Sequence, residues 1–144
     1  MEKPIAGYGW FIKCIDNALE KEANANLQRL NLTMQQNRVL IQLAHAPDNT
    51  LPLKALEEHF GAAQSTVAGL ASRLEKKGLV EPVSSPADRR VKLIRLTEEG
   101  KRLHDISRQD VIASEERLTA LLTDEEKSIL LVCLRKLHEA VRQP

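Results

Sequence analysis

Two neighbouring segments of this 144-residue chain carry side chains suited to binding an anionic polymer: a predicted helix, residues 64–77, and a loop, residues 84–90. In the helix, apolar residues at i, i+3, i+4 and i+7 predict one buried face, made of Val67, Leu70, Ala71 and Leu74. The opposite face and its flanks are small and polar, and they consist of Gln64, Ser65, Thr66, Ala68, Gly69, Ser72, Arg73 and Lys76. Such a face fits the major groove of double-stranded DNA, where hydroxyls reach base edges or phosphates and a lysine supplies a point charge.

The loop at residues 84–90 contains one proline, two serines and two arginines, a composition typical of an exposed hairpin tip. From such a tip, Arg89 or Arg90 can enter a narrow minor groove, and we expect Asp88 to orient a guanidinium through a bidentate pair. We expect few direct contacts between side chains and base edges, because the helix has no Arg, Asn or Gln at the centre of its outward face. Most of the affinity for DNA would then come from phosphate contacts.

The charge of the chain is concentrated in the same region. The formal net charge is only +1, but residues 64–102 carry +4, whereas residues 1–63 carry −1 and residues 103–144 carry −2. A basic middle between two acidic ends indicates that the middle of the chain meets the anionic partner.

The residues around the loop predict a winged helix-turn-helix. Residues 53–60 form a short amphipathic helix closed by a glycine, and the helix at 64–77 follows after a tight turn. Strands at 79–83 and 91–96, which are rich in β-branched residues, flank the loop and make it the tip of a hairpin, or wing. Pro82 predicts that its strand lies at the edge of a sheet.

Long helices flank this middle part on both sides. The first is predicted from a narrow apolar stripe typical of a helix–helix seam, made of Ile5, Tyr8, Ile12, Ile15 and Leu19. Capping boxes at Thr33 and Thr123 predict the starts of two further helices, and Thr97 predicts the start of a helix that runs towards Leu122. The last helix has one apolar face, made of Leu130, Cys133, Leu134, Leu137 and Val141. The expected fold class is mainly α with a small β-hairpin wing.

Several other classes of protein are excluded. The longest apolar run, residues 129–134, is far shorter than the roughly 20 residues of a membrane span, and the N-terminus lacks the pattern of a secretory signal, so we expect a cytoplasmic protein. No catalytic residues are expected, because the motifs of hydrolases, metalloproteases and phosphate-binding loops are absent. The two cysteines and the four histidines lack the spacing of a metal site, so we expect neither a metal nor a cofactor.

Three stretches together resemble the MarR family of bacterial transcriptional regulators: residues 74–80, Asp88-Arg89-Arg90, and residues 96–100. They are similar to the end of the family's recognition helix, its Asp-x-Arg wing signature and its closing Leu-Thr-x-x-Gly. The resemblance extends over about residues 5–142. It implies a homodimer whose two recognition helices enter successive major grooves of a near-palindromic operator, with Asp88 and Arg90 as the wing pair.

The resemblance also implies how the chain is divided and regulated. Within a single chain of residues 1–144, residues 33–100 would form the winged-helix DNA-binding part, and residues 5–30 and 101–142 the dimerisation helices, whose apolar stripes need a partner. The function it implies is that of a repressor released by a small aromatic effector, bound in a cleft between the dimer helices and the winged part. By position on the first two helices, the residues expected near that cleft are Trp10, Cys14, Asn37, Arg38 and His45.

Two alternatives stay open. A winged-helix module can dock onto another protein instead of DNA, although the basic middle segment argues against this. Cys14 would make the chain an oxidant-responsive regulator if Lys13 favoured its reactive thiolate, yet it lies about five positions later than the reactive thiol of the family's peroxide-sensing branch. The chain also has Ala63 where the family often has a capping residue and Ala68 where a hydroxyl often faces DNA, which leaves the operator sequence undetermined.

Overall fold

The computed structural model describes residues 6–143, which form six α-helices and a small antiparallel sheet. The helices are α1 (Tyr8–Arg29), α2 (Met34–His45), α3 (Leu53–Phe60), α4 (Gln64–Lys76), α5 (Glu98–Leu118) and α6 (Asp124–Arg142). The strands are β1 (Thr50–Pro52), β2 (Val80–Ser84) and β3 (Lys92–Leu96), and a 3-10 turn at Pro47–Asn49 precedes β1. The expected fold class is confirmed. Ile5 of the predicted stripe, and with it the start of the predicted helix range 5–30, lies outside the described residues.

The chain divides into two compact units between Asp110 and Val111. The first unit contains α1 to α4 and the sheet, and the division falls inside α5, because α5 extends to Leu118. The second unit contains the end of α5 and all of α6. The assignment of residues 33–100 to DNA binding and of the flanking helices to dimerisation stays a prediction.

Side-chain caps begin three of the helices where the sequence predicts them. The Thr33 hydroxyl accepts from the Gln36 amide at 3.1 Å, while the Gln36 side chain accepts from the Thr33 amide at 3.2 Å. Thr123 and Glu126 make the same reciprocal pair at the start of α6. The Thr97 hydroxyl accepts from the Gly100 amide at 3.1 Å. Each cap satisfies helical N–H groups that have no partner within the helix.

The sheet has three strands in the order β1-β3-β2, one more than the predicted hairpin. In β1, Leu51 lies opposite Ile94 of the central strand, and Pro82 of β2 lies opposite Ile94 on the other side. The prediction that Pro82 lies in an edge strand is confirmed, since β2 pairs on one side only. The sequence did not predict β1 because three residues ending in a proline carry no strand pattern of their own.

The hydrophobic core lies in the first unit and joins α2, α3 and α4 to the sheet. Its fully buried side chains are Val39, Leu40, Leu43, Leu56, Val67 and Leu74. The predicted inward stripe of α4 is therefore confirmed, with Ala71 buried and Leu70 packed against the same core. Burial of these side chains fixes which face of α4 points outward, and this positions the candidate site.

Large apolar side chains of the first and last helices are exposed to solvent. On α1 they are Tyr8, Trp10, Phe11, Ile12 and Ile15. On α6 they are Ile129, Leu130, Leu131, Val132, Leu134, Leu137 and Val141, and no residue of this helix is buried. The helix α5 ends at Leu118, short of the predicted Leu122. Among residues 6–143, no helix is long and apolar enough to cross a membrane.

Candidate nucleic-acid interface

The outward face of α4 is presented by a tight connection to α3. Gly61 ends α3 with φ +58°, a left-handed backbone that favours glycine, and three residues later α4 begins at Gln64. Seven of the eight predicted contact residues on α4 are exposed and the eighth, Gly69, is partly buried. Ala63 precedes the helix and makes no side-chain cap, so the first turn of α4 has no capping side chain that competes with an anion for its N–H groups.

The tip of the wing is shaped by Asp88. Its Oδ1 accepts from the Arg90 amide at 2.9 Å, and its carbonyl accepts from the Val91 amide at 3.1 Å. The Arg90 Nε also forms an ion pair with the same Oδ1 at 3.6 Å. Asp88 therefore lies beside the Arg90 guanidinium as expected, but one oxygen and one nitrogen make the contact, and the pair is not bidentate. The physical reason is that an aspartate in a tight turn bonds to the backbone two residues on. The Arg90 side chain is 95% exposed and extends from a fixed turn.

A groove of about 430 Å³ lies between α3, α4 and the wing. Its polar lining consists of Lys54, Glu57, Gln64, Arg90 and Lys92. Three cations and one carboxylate make this groove basic, and a phosphate backbone is the polymer that such a groove attracts. Lys54 and Lys92 are not among the contact residues predicted from the sequence. For Lys92 the signal was its place beside the arginines of the loop, whereas Lys54 joins them only through the folding of α3 against α4.

The wing and α4 form one continuous surface in the first unit. A second depression of about 480 Å³ lies between the middle of α4 and the hairpin, and it includes Ala68, Ser72, Glu75 and Arg89. Ala68 borders both this depression and the basic groove. The structure therefore brings together five of the predicted contact residues, which are Gln64, Ala68 and Ser72 of the helix and Arg89 and Arg90 of the loop. The DNA-contact role of all the predicted residues stays a prediction.

The five candidate effector residues lie on two helices, α1 and α2, and differ in their exposure and contacts. On α1, Trp10 packs edge-on against Phe11, and Cys14 is exposed. On α2, the Arg38 guanidinium lies 4.6 Å from the centre of the Phe60 ring, and Asn37 is buried with its Oδ1 unpaired among the described residues. Within residues 6–143, no hydrogen bond or ring contact joins any two of the five, so a shared cleft stays a prediction.

His45, the fifth of these residues, faces His104 of α5, for which the sequence predicts no role. The rings of His45 and His104 are 6.1 Å apart and nearly perpendicular, and His45 Nδ1 lies 2.8 Å from the Ile41 carbonyl oxygen. Burial lowers the pKa of His104 below its ordinary value, Asp105 acts in the opposite direction, and His45 and Arg108 add to the lowering. His104 is therefore neutral at pH 7, and its buried Nδ1 has no hydrogen-bond partner in the described part of the chain.

Comparison with known proteins agrees with this geometry. Residues 30–91 match a model described as the MarR family. The chain is 33% identical over 113 residues to the uncharacterized HTH-type transcriptional regulator YfiV of Bacillus subtilis, which covers 78% of this chain and 69% of YfiV. It is 31% identical over 116 residues to the HTH-type transcriptional regulator FarR of Neisseria gonorrhoeae, which covers 79% of this chain and 76% of FarR.

A solved structure extends the similarity to nearly the whole fold. A mutant of S. aureus MepR bound to an oligodeoxyribonucleotide superposes with a TM-score of 0.74 at 26% identity, and the alignment covers 94% of this chain and 99% of that chain. Both YfiV and FarR are described as HTH-type transcriptional regulators. The chain described here belongs to the MarR family of transcriptional regulators.

Proposed function

We propose that the chain is a cytoplasmic, homodimeric repressor that binds a near-palindromic DNA operator through α4 and the wing, residues 84–90, and leaves it when a small aromatic effector binds. The observation that carries this proposal is the continuous exposed surface made by the small polar face of α4 and the basic tip of the wing. The MepR mutant solved with an oligodeoxyribonucleotide supports the choice of DNA as the partner.

Phosphate contacts would supply most of the affinity. Lys54, Arg90 and Lys92 line the groove beside the first turn of α4, and each phosphate they neutralise releases condensed counterions. Base contacts would come from Gln64, Ser65 and Thr66 at the start of α4, with Gly69, Ser72, Arg73 and Lys76 closer to the backbone. Arg90, exposed at the tip of the wing, is the residue we assign to the minor groove.

The homodimer is proposed from the exposed apolar faces of α1 and α6. Tyr8, Ile12 and Ile15 on one helix, and Leu134 and Leu137 on the other, are too exposed to contribute to a core within one chain. A second copy would remove these faces from water. Two-fold symmetry would then place the two copies of α4 about one turn of DNA apart.

The effector is proposed to act on α2. Asn37 has a buried carbonyl oxygen without a partner, and a hydrogen-bond donor on the effector would satisfy it. Trp10, Cys14, Arg38 and His45 stay the other candidates for this contact. The effector can release DNA only if it binds more tightly to the arrangement of the two α4 helices that does not fit the operator.

Fluorescence anisotropy tests the DNA-binding part of the proposal. The purified protein is titrated onto the DNA upstream of its own gene and onto a scrambled duplex, each at two salt concentrations. We expect tight, salt-sensitive binding with a clear preference for the upstream fragment. Binding to neither duplex at low salt would contradict the proposal and favour a protein-docking module, and equal binding to both would contradict specific recognition of that promoter.

The effector part is tested with the same assay once the operator is known. Small aromatic acids and phenols are added to the protein–DNA complex, and we expect at least one to lower the affinity for operator DNA. An Asn37→Leu protein should bind the operator normally and respond less to that compound. A response to peroxide that disappears in Cys14→Ser would instead identify the oxidant-responsive alternative.

A further inference from the structure

A lysine at the end of α4 bonds to a distant part of the chain. The Lys77 ammonium donates to the Asn31 carbonyl, in the turn between α1 and α2, and to the Gln36 Oε1 at 2.9 Å. Asn31 and Gln36 lie 46 and 41 residues before Lys77 in the sequence. Lys77 is the C-cap residue of α4, so the ammonium connects the end of that helix to the junction of two others.

Both acceptors are held in place by the backbone around them. Asn31 has a left-handed backbone with φ +55°, and the Leu32 amide closes α1 by donating to the Leu27 carbonyl at 2.9 Å. The Gln36 side chain is 4% exposed, and its Oε1 also accepts from the Thr33 amide in the capping box of α2. Neither acceptor can move without breaking the end of α1 or the start of α2.

We infer that Lys77 is a positioning residue that holds α4 in one orientation relative to α1 and so determines the half-site spacing that the homodimer reads. This inference rests on the proposed function. The exposed apolar face of α1 is part of the proposed dimer interface, and α4 is the proposed recognition helix. A tie between them would transmit the geometry of the interface to the two α4 helices, because charge-assisted hydrogen bonds are shorter and stronger than neutral ones.

Lys76 provides a matched control one position away. It carries the same charge, but it lies on the exposed face of α4 that we assign to DNA. Replacing Lys77 by Met removes the ammonium and keeps the apolar stem, so the packing of the side chain changes little. Replacing Lys76 by Met removes the same charge from the DNA-facing surface.

The experiment first selects an operator from a random DNA pool with the wild-type protein. Affinity is then measured for that operator and for duplexes whose half-sites are one base pair closer or farther apart, a change that rotates one half-site by about 35°. We expect wild type to lose about tenfold or more in affinity on either altered duplex. The Lys77→Met protein should bind the selected operator several-fold more weakly and distinguish the three spacings by less than about threefold.

The salt dependence of binding separates this role from a phosphate contact. Lys76→Met should lower the salt slope by about one and keep the wild-type preference for spacing, whereas Lys77→Met should leave the slope unchanged. Circular dichroism and sedimentation establish that each variant is folded and dimeric, and a Lys77→Gln protein provides a second, polar replacement.

Three results would overturn the inference and leave the proposed function standing. The first two are a Lys77→Met protein with the spacing profile of the wild type and a salt slope lowered by about one in that variant. The third is wild-type binding that does not depend on spacing. Failure of the wild-type protein to select any DNA would overturn the proposed function, and this inference with it.

Discussion

Replacing Gly100 by alanine tests how closely the first turn of α5 packs against the backbone that precedes β2. Gly100 lies buried in the first turn of α5, and a Cβ on it would be 2.2 Å from the Leu79 carbonyl oxygen and 2.6 Å from the Leu96 Cδ1. The leucine side chain can rotate away, but the carbonyl is backbone and accepts from the Thr97 amide at 3.1 Å. The start of α5 must therefore move by more than an ångström to restore an ordinary contact.

The expected cost follows from two opposing effects. Overpacking against backbone costs about 3 kcal/mol at the upper end of the usual range, and alanine in place of glycine in a helix returns up to about 1 kcal/mol. We therefore expect Gly100→Ala to lower the free energy of unfolding by about 2 kcal/mol. Movement of α5 would also strain the bonds that Thr97 makes to Leu79 and Gly100, which adds to the loss.

Gly69 offers the same chemical change without the clash. It lies inside α4, and the nearest atom to its added Cβ is the Arg73 Nη1 at 3.8 Å, at the end of a flexible side chain. Gly69→Ala should raise the free energy of unfolding by about 0.5–1 kcal/mol. Urea unfolding followed by circular dichroism measures both variants, at one protein concentration because unfolding of the proposed dimer would depend on it. A Gly100→Ala protein as stable as the wild type would refute the reasoning.

Three further changes test the site and the fold. Arg90→Ala should weaken operator binding by about 1–3 kcal/mol in fluorescence anisotropy, with Arg142→Ala on α6 as a charge-matched control, and unchanged affinity would show that the wing is misassigned. Thr33→Ala should lower the free energy of unfolding in urea by about 1 kcal/mol, since it removes the capping box of α2, and no loss would contradict that role for the cap. Burial lowers the pKa of His104 in the folded state, so this histidine binds a proton more readily in the unfolded state. The free energy of unfolding should therefore fall as the pH drops from about 6.5 through the folded pKa. Urea unfolding at pH 7.5 and 5.5 should show this loss in wild type and a smaller one in His104→Leu, and equal losses would contradict the assignment.

Local signals in the sequence predicted the ends of several helices well. The capping boxes at Thr33 and Thr123 and the glycine at 61 act within four residues of themselves, so each marks a helix end wherever the rest of the chain lies. The inward stripe of α4 was likewise readable from its spacing, and its burial left the predicted polar face outside.

Two kinds of feature could not be predicted from local signals: the pairing of strands and the competition of two donors for one acceptor. The strand at Thr50–Pro52 exists because β3 lies beside it, and nothing within three residues specifies that partner. The bidentate use of Asp88 was predicted from residue types alone, but its Oδ1 accepts from the Arg90 amide at 2.9 Å and pairs with the Arg90 Nε only at 3.6 Å. Residue types alone do not show which of two donors lies closer to an acceptor.

The sequence by itself determined the order and character of the elements, the buried and exposed faces of α4, and the similarity to a family of regulators. Only the tertiary structure decided which distant residues meet: Lys54 with Arg90 in one groove, Lys77 with Asn31, and Gly100 with the Leu79 carbonyl. The physical reason is the distance along the sequence over which each kind of interaction acts. Helix periodicity and caps act over about four residues, whereas contacts between distant residues depend on how the whole core closes, and no short stretch of sequence encodes that closure.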